Sequence, residues 1–554
     1  MSTRATALAT AVMLLLALGA CSTPSSSTSS TPTTSQEQGS VAIFTPSDGM
    51  SINQHGALNT WSKFVPDLTK ALESQGFIKK NVSATSADDF ERQSRDIQDY
   101  VVNTLEQRNN QSKSAASDTT IIVAPVYDAQ VSTRQYGDYA GSAITWDASD
   151  ESSDKSSASS SDSTASDDMS SSSSASATST DSSSSDSTTD TDAQSTQDES
   201  TDAESTEEIT RAQSGERMVS SLKLAQDEGA HVILVSHTLQ GFTPDVFVQM
   251  STAKQIGIIQ AQQMVSKLAL DSVTADNPKT IEILLPYDAT DKEGNTVSDS
   301  SFAQNAFAGI WKVLGPYITT GKVVSSSGSL TTSTTAQDWM PSAFEAEKPE
   351  QIQHVLEGRL NMTAKTTTHT RIDGIIAMND FVASGTSDAL DELGYTGSSA
   401  DINPSISISG IVDNIAGRKD LAKDKVPDPA KTQDTTTSND DDDNESAESI
   451  EKVNARWPII TGYGAYLDTI PQIVNGKQWM TALENRQQLV SDIAQVCKRL
   501  DSGNALSSLP YIKKTSVNNT KVATVEEKLL TVSASNLKTT LIDPGYISLA
   551  DAGL

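Results

Sequence analysis

The stretch PIITGYGAYLDTIPQIVNGKQWMT, Pro458 to Thr481, carries the reading that decides the fold. An apolar run, PIIT, ends at a small turn, GYGAY, and a helical pattern follows. Strand, glycine turn and helix in succession build ligand sites at the mouths of open α/β sheets. No side chain in this turn can make a charged hydrogen bond. A binding turn of this kind needs its charge from elsewhere, or works without one.

The same alternation extends in both directions. SVAIFT (Ser40 to Thr45) reads as a first strand, and WSKFVPDLTKALESQGF places Phe64, Leu68, Ala71 and Leu72 at helical spacing, closing at Gly76. Phe90 to Gln107 is a second amphipathic helix, and TTIIVAPVYD (Thr119 to Asp128) a strand buried on both faces. MVSSLKLAQDEGAHVILVSHT gives helix, glycine and strand. A second set follows: TIEILLPYDA, SFAQNAFAGIWKVLGPYI, KVVSSSG, PEQIQHVLEGRL, DGIIAMND and FVASGTSDALDELGY, with SISISGIVDN as an additional strand. This βα repetition predicts an α/β chain with mostly parallel sheets and right-handed crossovers, in two blocks each about the size of a domain.

Composition bounds the partners. The chain has 554 residues and a formal net charge of −32, which argues against nucleic acid, whose phosphates need clustered Lys and Arg. Between Asp147 and Glu208 stand seventeen Asp and Glu against a single Lys, Lys155, so one segment supplies half of that charge. Residues 148–207 are nearly all Ser, Asp, Thr and Ala and read as a disordered insertion. A second insertion, 418–454, contains DDDDNE (Asp440 to Glu445). It lacks the alternating ligands and glycine of a calcium loop and reads as solvated linker. The two cysteines and five histidines show no metal spacing, and no nucleophile elbow or phosphate loop is present. No cofactor, metal or enzymatic activity is expected.

The chain opens with Arg4 and the apolar AVMLLLALGA, too short for a permanent transmembrane helix, ending in LGAC, Leu18 to Cys21. LGAC resembles the lipobox of bacterial lipoproteins. That resemblance implies a signal peptide, 1–20, cut before Cys21, with the Cys21 thiol lipidated and the protein held on the extracytoplasmic side of the cell membrane by its acyl chains alone. Residues 21–39 read as a flexible tether.

The two blocks resemble type I periplasmic solute-binding proteins of ABC transporters, in the ribose and xylose-type sugar-binding branch. Four segments carry the likeness: IIAMNDFVASGTSDALDELGY; SFAQNAFAGIWKVLGPYITTGKVV followed by Trp339; the opening stretch with its GKQ–MT exit; and KLLTVSASNLKTTLIDPGYIS, Lys528 to Ser548. The resemblance implies two doubly wound lobes joined by a three-segment hinge and closing on a small ligand. The N-terminal lobe is then 40–249 plus about 484–528, and the C-terminal lobe 250–483 plus about 529–554. The implied partners are a small-molecule ligand, a carbohydrate by likeness, and ABC permease subunits.

The resemblance also names site residues. Asn379 and Asp380 match the family's strand-end pair, although an Asn-Asp pair equally suits a helix cap. His237 and Thr238 stand where the family has Asp-Arg, Gly464 where it has an aspartate, and Glu484 near a usual lysine or glutamine. Asp128, at a strand end, joins the candidate ligand contacts. Trp61, Trp146 and Tyr463 offer aromatic surface or packing. Losing a carboxylate and an arginine removes charge-assisted hydrogen bonds of about 1.5–3 kcal/mol each. Two functions therefore stand: a lipid-anchored receptor of an ABC importer for a sugar or similar polar solute, or a non-transport sensor or cell-envelope interaction protein on the same fold.

Overall fold

The structure, a computed structural model, describes residues 39–48, 57–105, 117–127, 143–146, 200–287, 301–345, 348–400 and 450–554. Cys21 and the lipobox, Asp128, and most of both insertions lie outside them. Among the described residues no helix is long and apolar enough to cross a membrane.

The first sheet has seven strands. β1 (Ser40–Pro46), β2 (Val82–Ala87) and β3 (Thr119–Val123) are followed by the short β4 (Ala143–Ile144), then β5 (His231–Val235), the short β6 (Thr238–Leu239) and β7 (Val246–Gln249). Much later the chain returns with β15 (Ile512–Val517) and β16 (Thr520–Glu526). The spatial order is β15-β16-β7-β5-β3-β1-β2, parallel except for the β15–β16 hairpin, while β4 and β6 pair separately. The second sheet runs β10 (Val323–Val324), β8 (Lys279–Ile283), β12 (Gly374–Ile376), β13 (Ile459–Tyr463), β14 (Met480–Leu483) and β17 (Leu530–Ser533), with β17 antiparallel at one edge. β9 (Leu285–Tyr287) pairs with β11 (Ala343–Glu345) beside it.

Both sheets are covered on both faces, as strand alternation requires. In β1, Ala42 and Phe44 pack with helices α2 (Phe90–Asp99) and α3 (Ser200–Asp227), through Ile97, Met218 and Leu222. Val41 and Ile43 point the other way, against Phe64, Leu68 and Leu72 of α1 (Trp61–Ser74). In the second sheet, Ile281, Ile283 and Ile376 meet α4 (Ala253–Lys267) and α5 (Ser301–Thr319). Ile375 and Ile460 meet α6 (Pro349–Leu360) and α7 (Asp380–Glu392). Helices α4 and α5 cross so closely that a Cβ on Gly257 would lie 2.3 Å from the Ala306 carbonyl oxygen.

The fold is thus the α/β architecture of two doubly wound lobes. The chain passes between the sheets three times: after β7, after β14 into α8 (Arg486–Asp501), and between β16 and β17. Two local readings change. Helix α3 begins at Ser200, inside the range expected to be disordered, where Glu and Ala replace the Ser runs and favour a helix. Residues 450–454, expected to be linker, are helical, and the Glu451 carboxylate accepts from the His369 backbone at 3.0 Å.

Candidate functional site

The turn after β13 takes its charge from the neighbouring strand end. Asp380, fully buried, follows β12 as the first residue of α7. Its Oδ1 accepts from Gln478 Nε2 at 2.7 Å, and its Oδ2 from Thr481 Oγ1 at 2.8 Å and the Tyr466 amide at 3.1 Å. Burial raises its pKa to about 6 against the lowering pull of these donors. Two glycines make room for the knot. A Cβ on Gly462 would sit 2.2 Å from Asp380 Oδ1. Gly464 has φ +114°, and a Cβ there would lie 2.4 Å from the Tyr466 ring, so no aspartate fits the position the family resemblance would give it.

Asn379 takes the capping alternative: it is fully buried, and its Oδ1 accepts from the Val382 amide at 2.8 Å. The strand-end pair is therefore committed to the protein. Both residues stand just past the carboxyl end of β12, and their described contacts are internal.

A second cluster sits at the hinge. Ser251 follows β7 in the first crossing and Glu484 follows β14 in the second. The Ser251 amide and hydroxyl both donate to Glu484 Oε1, and Ser251 Oγ lies 2.5 Å from the Tyr463 hydroxyl oxygen. Burial pushes Glu484 up to about 7, and burial with the nearby Glu484 carboxylate pushes the Tyr463 hydroxyl well above its ordinary value. Tyr463 therefore belongs to the interior, not to an aromatic ligand wall. Beside the cluster lies a cavity of about 400 Å³, walled by Gln249, Gln255, Ile259, Glu484, Glu526 and Leu529, which draws on all three crossings.

The N-terminal lobe reaches this corner through residues 58 and 59. The Leu58 amide donates to the Gly464 carbonyl at 3.0 Å, and the Leu58 side chain is buried with Ala465, Ile470 and Leu483. Asn59 Nδ2 donates to the Glu484 carbonyl at 2.9 Å. Arg486 ties the segment down: its Nη1 donates to the Leu58 carbonyl and to Asn59 Oδ1, its Nε to Asp67 Oδ2, and its guanidinium lies 5.0 Å from the Tyr546 ring centre.

The other candidates are dispersed. His237 is buried and stacks on Tyr127, ring centres 5.0 Å apart. Thr238 begins β6, in the two-stranded pairing with β4. Trp61 is 2% exposed, packs edge-on to Phe64, and donates its amide to Asp48 Oδ1 at 2.6 Å. Trp146 lies against Gly215 of α3. Both tryptophans are packing residues. Among the described residues no cluster of His, Cys, Asp or Glu could hold a metal.

Sequence reasoning missed Ser251, Leu58 and Arg486, which have no motif around them. Gln478 and Thr481 did carry a signal: they are the Gln and Thr of the GKQ–MT exit, and both grip Asp380.

No family model matches the chain, and no curated protein matches it. Among solved structures it is similar to an ABC transporter solute binding protein from Clostridium phytofermentans with bound beta-D-glucose, at 14% identity and a TM-score of 0.46, covering 92% of this chain and 99% of that one. It is similar to a carbohydrate transporter solute binding protein from Chloroflexus aurantiacus in complex with D-glucose, at 15% identity and a TM-score of 0.45, covering 93% and 98%. An arabinose binding protein from Geobacillus stearothermophilus follows at 11% identity and a TM-score of 0.40, covering 91% and 100%.

Proposed function

We propose that the chain is a non-enzymatic, extracytoplasmic solute-binding receptor of the type I class, anchored through a lipidated Cys21 and delivering a sugar or similar polar solute to an ABC importer. The observation that carries this reading is the Leu58–Gly464 hydrogen bond. Leu58 lies on the segment after β1 and Gly464 on the turn after β13, so the carboxyl ends of both parallel sheets open onto one cleft. Open α/β sheets bind ligands at those ends, and a hinge of three crossings lets the two halves close on one.

Thermal unfolding of the full chain against a panel of aldoses and polyols tests the reading. A ligand that binds only the folded state stabilises it by RT ln(1 + [L]/Kd), about 2.7 kcal/mol at a hundredfold excess over Kd. A rise in Tm with one sugar class is expected. No shift from any of them at millimolar concentration overturns sugar reception.

One observation favours the second reading, a sensor or envelope interaction protein without transport. Asp380 is enclosed by internal donors, and the corner at Gly464 is filled by Leu58. On that reading the lobes stay closed without solute, and small-angle scattering gives the same radius of gyration with and without every sugar tried.

A further inference from the structure

The two long edges of the first sheet are built differently. β15 closes one edge as a hairpin strand and carries the exposed Lys513 and Lys514, the usual guard against sheet-to-sheet pairing. β2 closes the other edge, and among the described residues its only ladder is with β1. Its middle residues, Ser83, Ala84, Thr85 and Ser86, are all exposed and all small. No proline, bulge or lysine interrupts these six residues. In the second sheet one edge strand, β10, is only two residues long.

The charges lie at the ends of β2. Lys79 and Lys80 precede it and Asp88 and Asp89 follow it, all four exposed. A strand with cations at one end and anions at the other is complementary to itself when turned end for end. The Ala87 carbonyl accepts from the Ser47 amide on the β1 side, so the even-numbered residues of β2 turn their backbone groups outward; about a two-fold axis through Ala84, residue i of one copy faces residue 168 − i of the other. Ser83 then faces Thr85, Val82 faces Ser86, and at each end Lys80 faces Asp88 and Lys79 faces Asp89. A parallel pairing of the same strands would set like charges together.

We propose that two copies of this chain associate through antiparallel pairing of their β2 edges, joining the two seven-stranded sheets into one. The interface is isologous, so a single patch closes the dimer and leaves no further edge for growth at β2. The small side chains let the backbones reach ladder distance, and the charged ends set the direction. This surface is independent of the solute site, so it stands whether or not a sugar binds.

Sedimentation velocity on the full chain, with Cys21→Ser so that no acyl chain is attached, tests the proposal. A concentration-dependent shift from monomer to dimer is expected. Lys79→Glu with Lys80→Glu removes the dimer, and Thr85→Lys does so independently; both changes lie at exposed positions and leave the fold intact. Mixing Ser83→Cys chains with Thr85→Cys chains gives an intermolecular disulfide that neither variant gives alone. A single monomeric species at every concentration overturns the proposal, and so does a dimer that survives both edge variants.

Discussion

Asp380 and Glu484 are both fully buried carboxylates at strand ends of the second sheet, yet they are held in opposite ways. Asp380 receives donors from Gln478, Thr481 and the Tyr466 amide, all within the stretch Pro458 to Thr481. Glu484 receives its two bonds from one residue, Ser251, which belongs to a different hinge crossing. The first is a knot inside a lobe. The second joins two hinge crossings, so anything that changes its charge acts on the connection between the lobes. The contrast also sharpens what the glycine turn does: it does not present a charge to the cleft but wraps around one, and Gly462 and Gly464 leave the space for it.

The strongest way to break this contrast is Asp380→Ala. The substitution leaves four buried donors from four residues without this acceptor, the Thr469 hydroxyl at 3.5 Å being the longest, and each such loss costs on the order of 1–3 kcal/mol before relaxation. Gln478 Nε2 keeps its bond to the Met480 carbonyl, which softens the effect. Urea unfolding is expected to show a loss of about 4 kcal/mol. A loss below 1 kcal/mol means that Asp380 is not the centre of the turn.

Glu484 shows itself through pH. Its folded pKa, about 7, lies above its ordinary value of 4.5, so between these values the folded protein holds a proton that the unfolded chain has released. The stability it contributes is full below pH 4.5 and is lost as pH rises through 7, by on the order of 3 kcal/mol. Asp380 adds a drop of the same sign as pH rises from 3.8 to about 6. Stability measured by urea from pH 4 to 8 is therefore expected to fall with pH, and Glu484→Gln to reduce that fall between pH 4.5 and 7. An unchanged profile in the variant removes Glu484 from the hinge argument.

Much of the architecture was legible because apolar alternation leaves a local record. SVAIFT, TIEILL, GIIAM and PIITGY announce β1, β8, β12 and β13, each with successive side chains buried on opposite faces. β2, VSATSA, was illegible because small polar residues on an exposed edge carry no burial pattern. The site was harder for a different reason. Whether a strand-end carboxylate faces a ligand or its own protein depends on partners far away in the chain: Thr481 is 101 residues from Asp380, and Ser251 is 233 residues from Glu484. The Asn-Asp pair and the GKQ–MT exit could be located by motif, but not their contact with each other. Leu58 had no motif and is visible only as a side chain of one lobe buried among residues of the other.

The smallest expected effect separates the hinge from the knot most cleanly. Tyr463→Phe removes one hydroxyl, which lies 2.5 Å from Ser251 Oγ, and leaves the ring in its packing with Ile459, Met480 and Ala482. Ser251 still donates both its amide and its hydroxyl to Glu484, so the crossing-to-crossing link survives. The loss is one hydrogen bond, about 1 kcal/mol, with no cavity beyond an oxygen atom. A stability change of that size, with the pH profile of the parent retained, assigns the link to Ser251 and Glu484. A loss of the pH dependence in Tyr463→Phe assigns it to the tyrosine instead, because the hydroxyl is then what sets the geometry around the buried carboxylate.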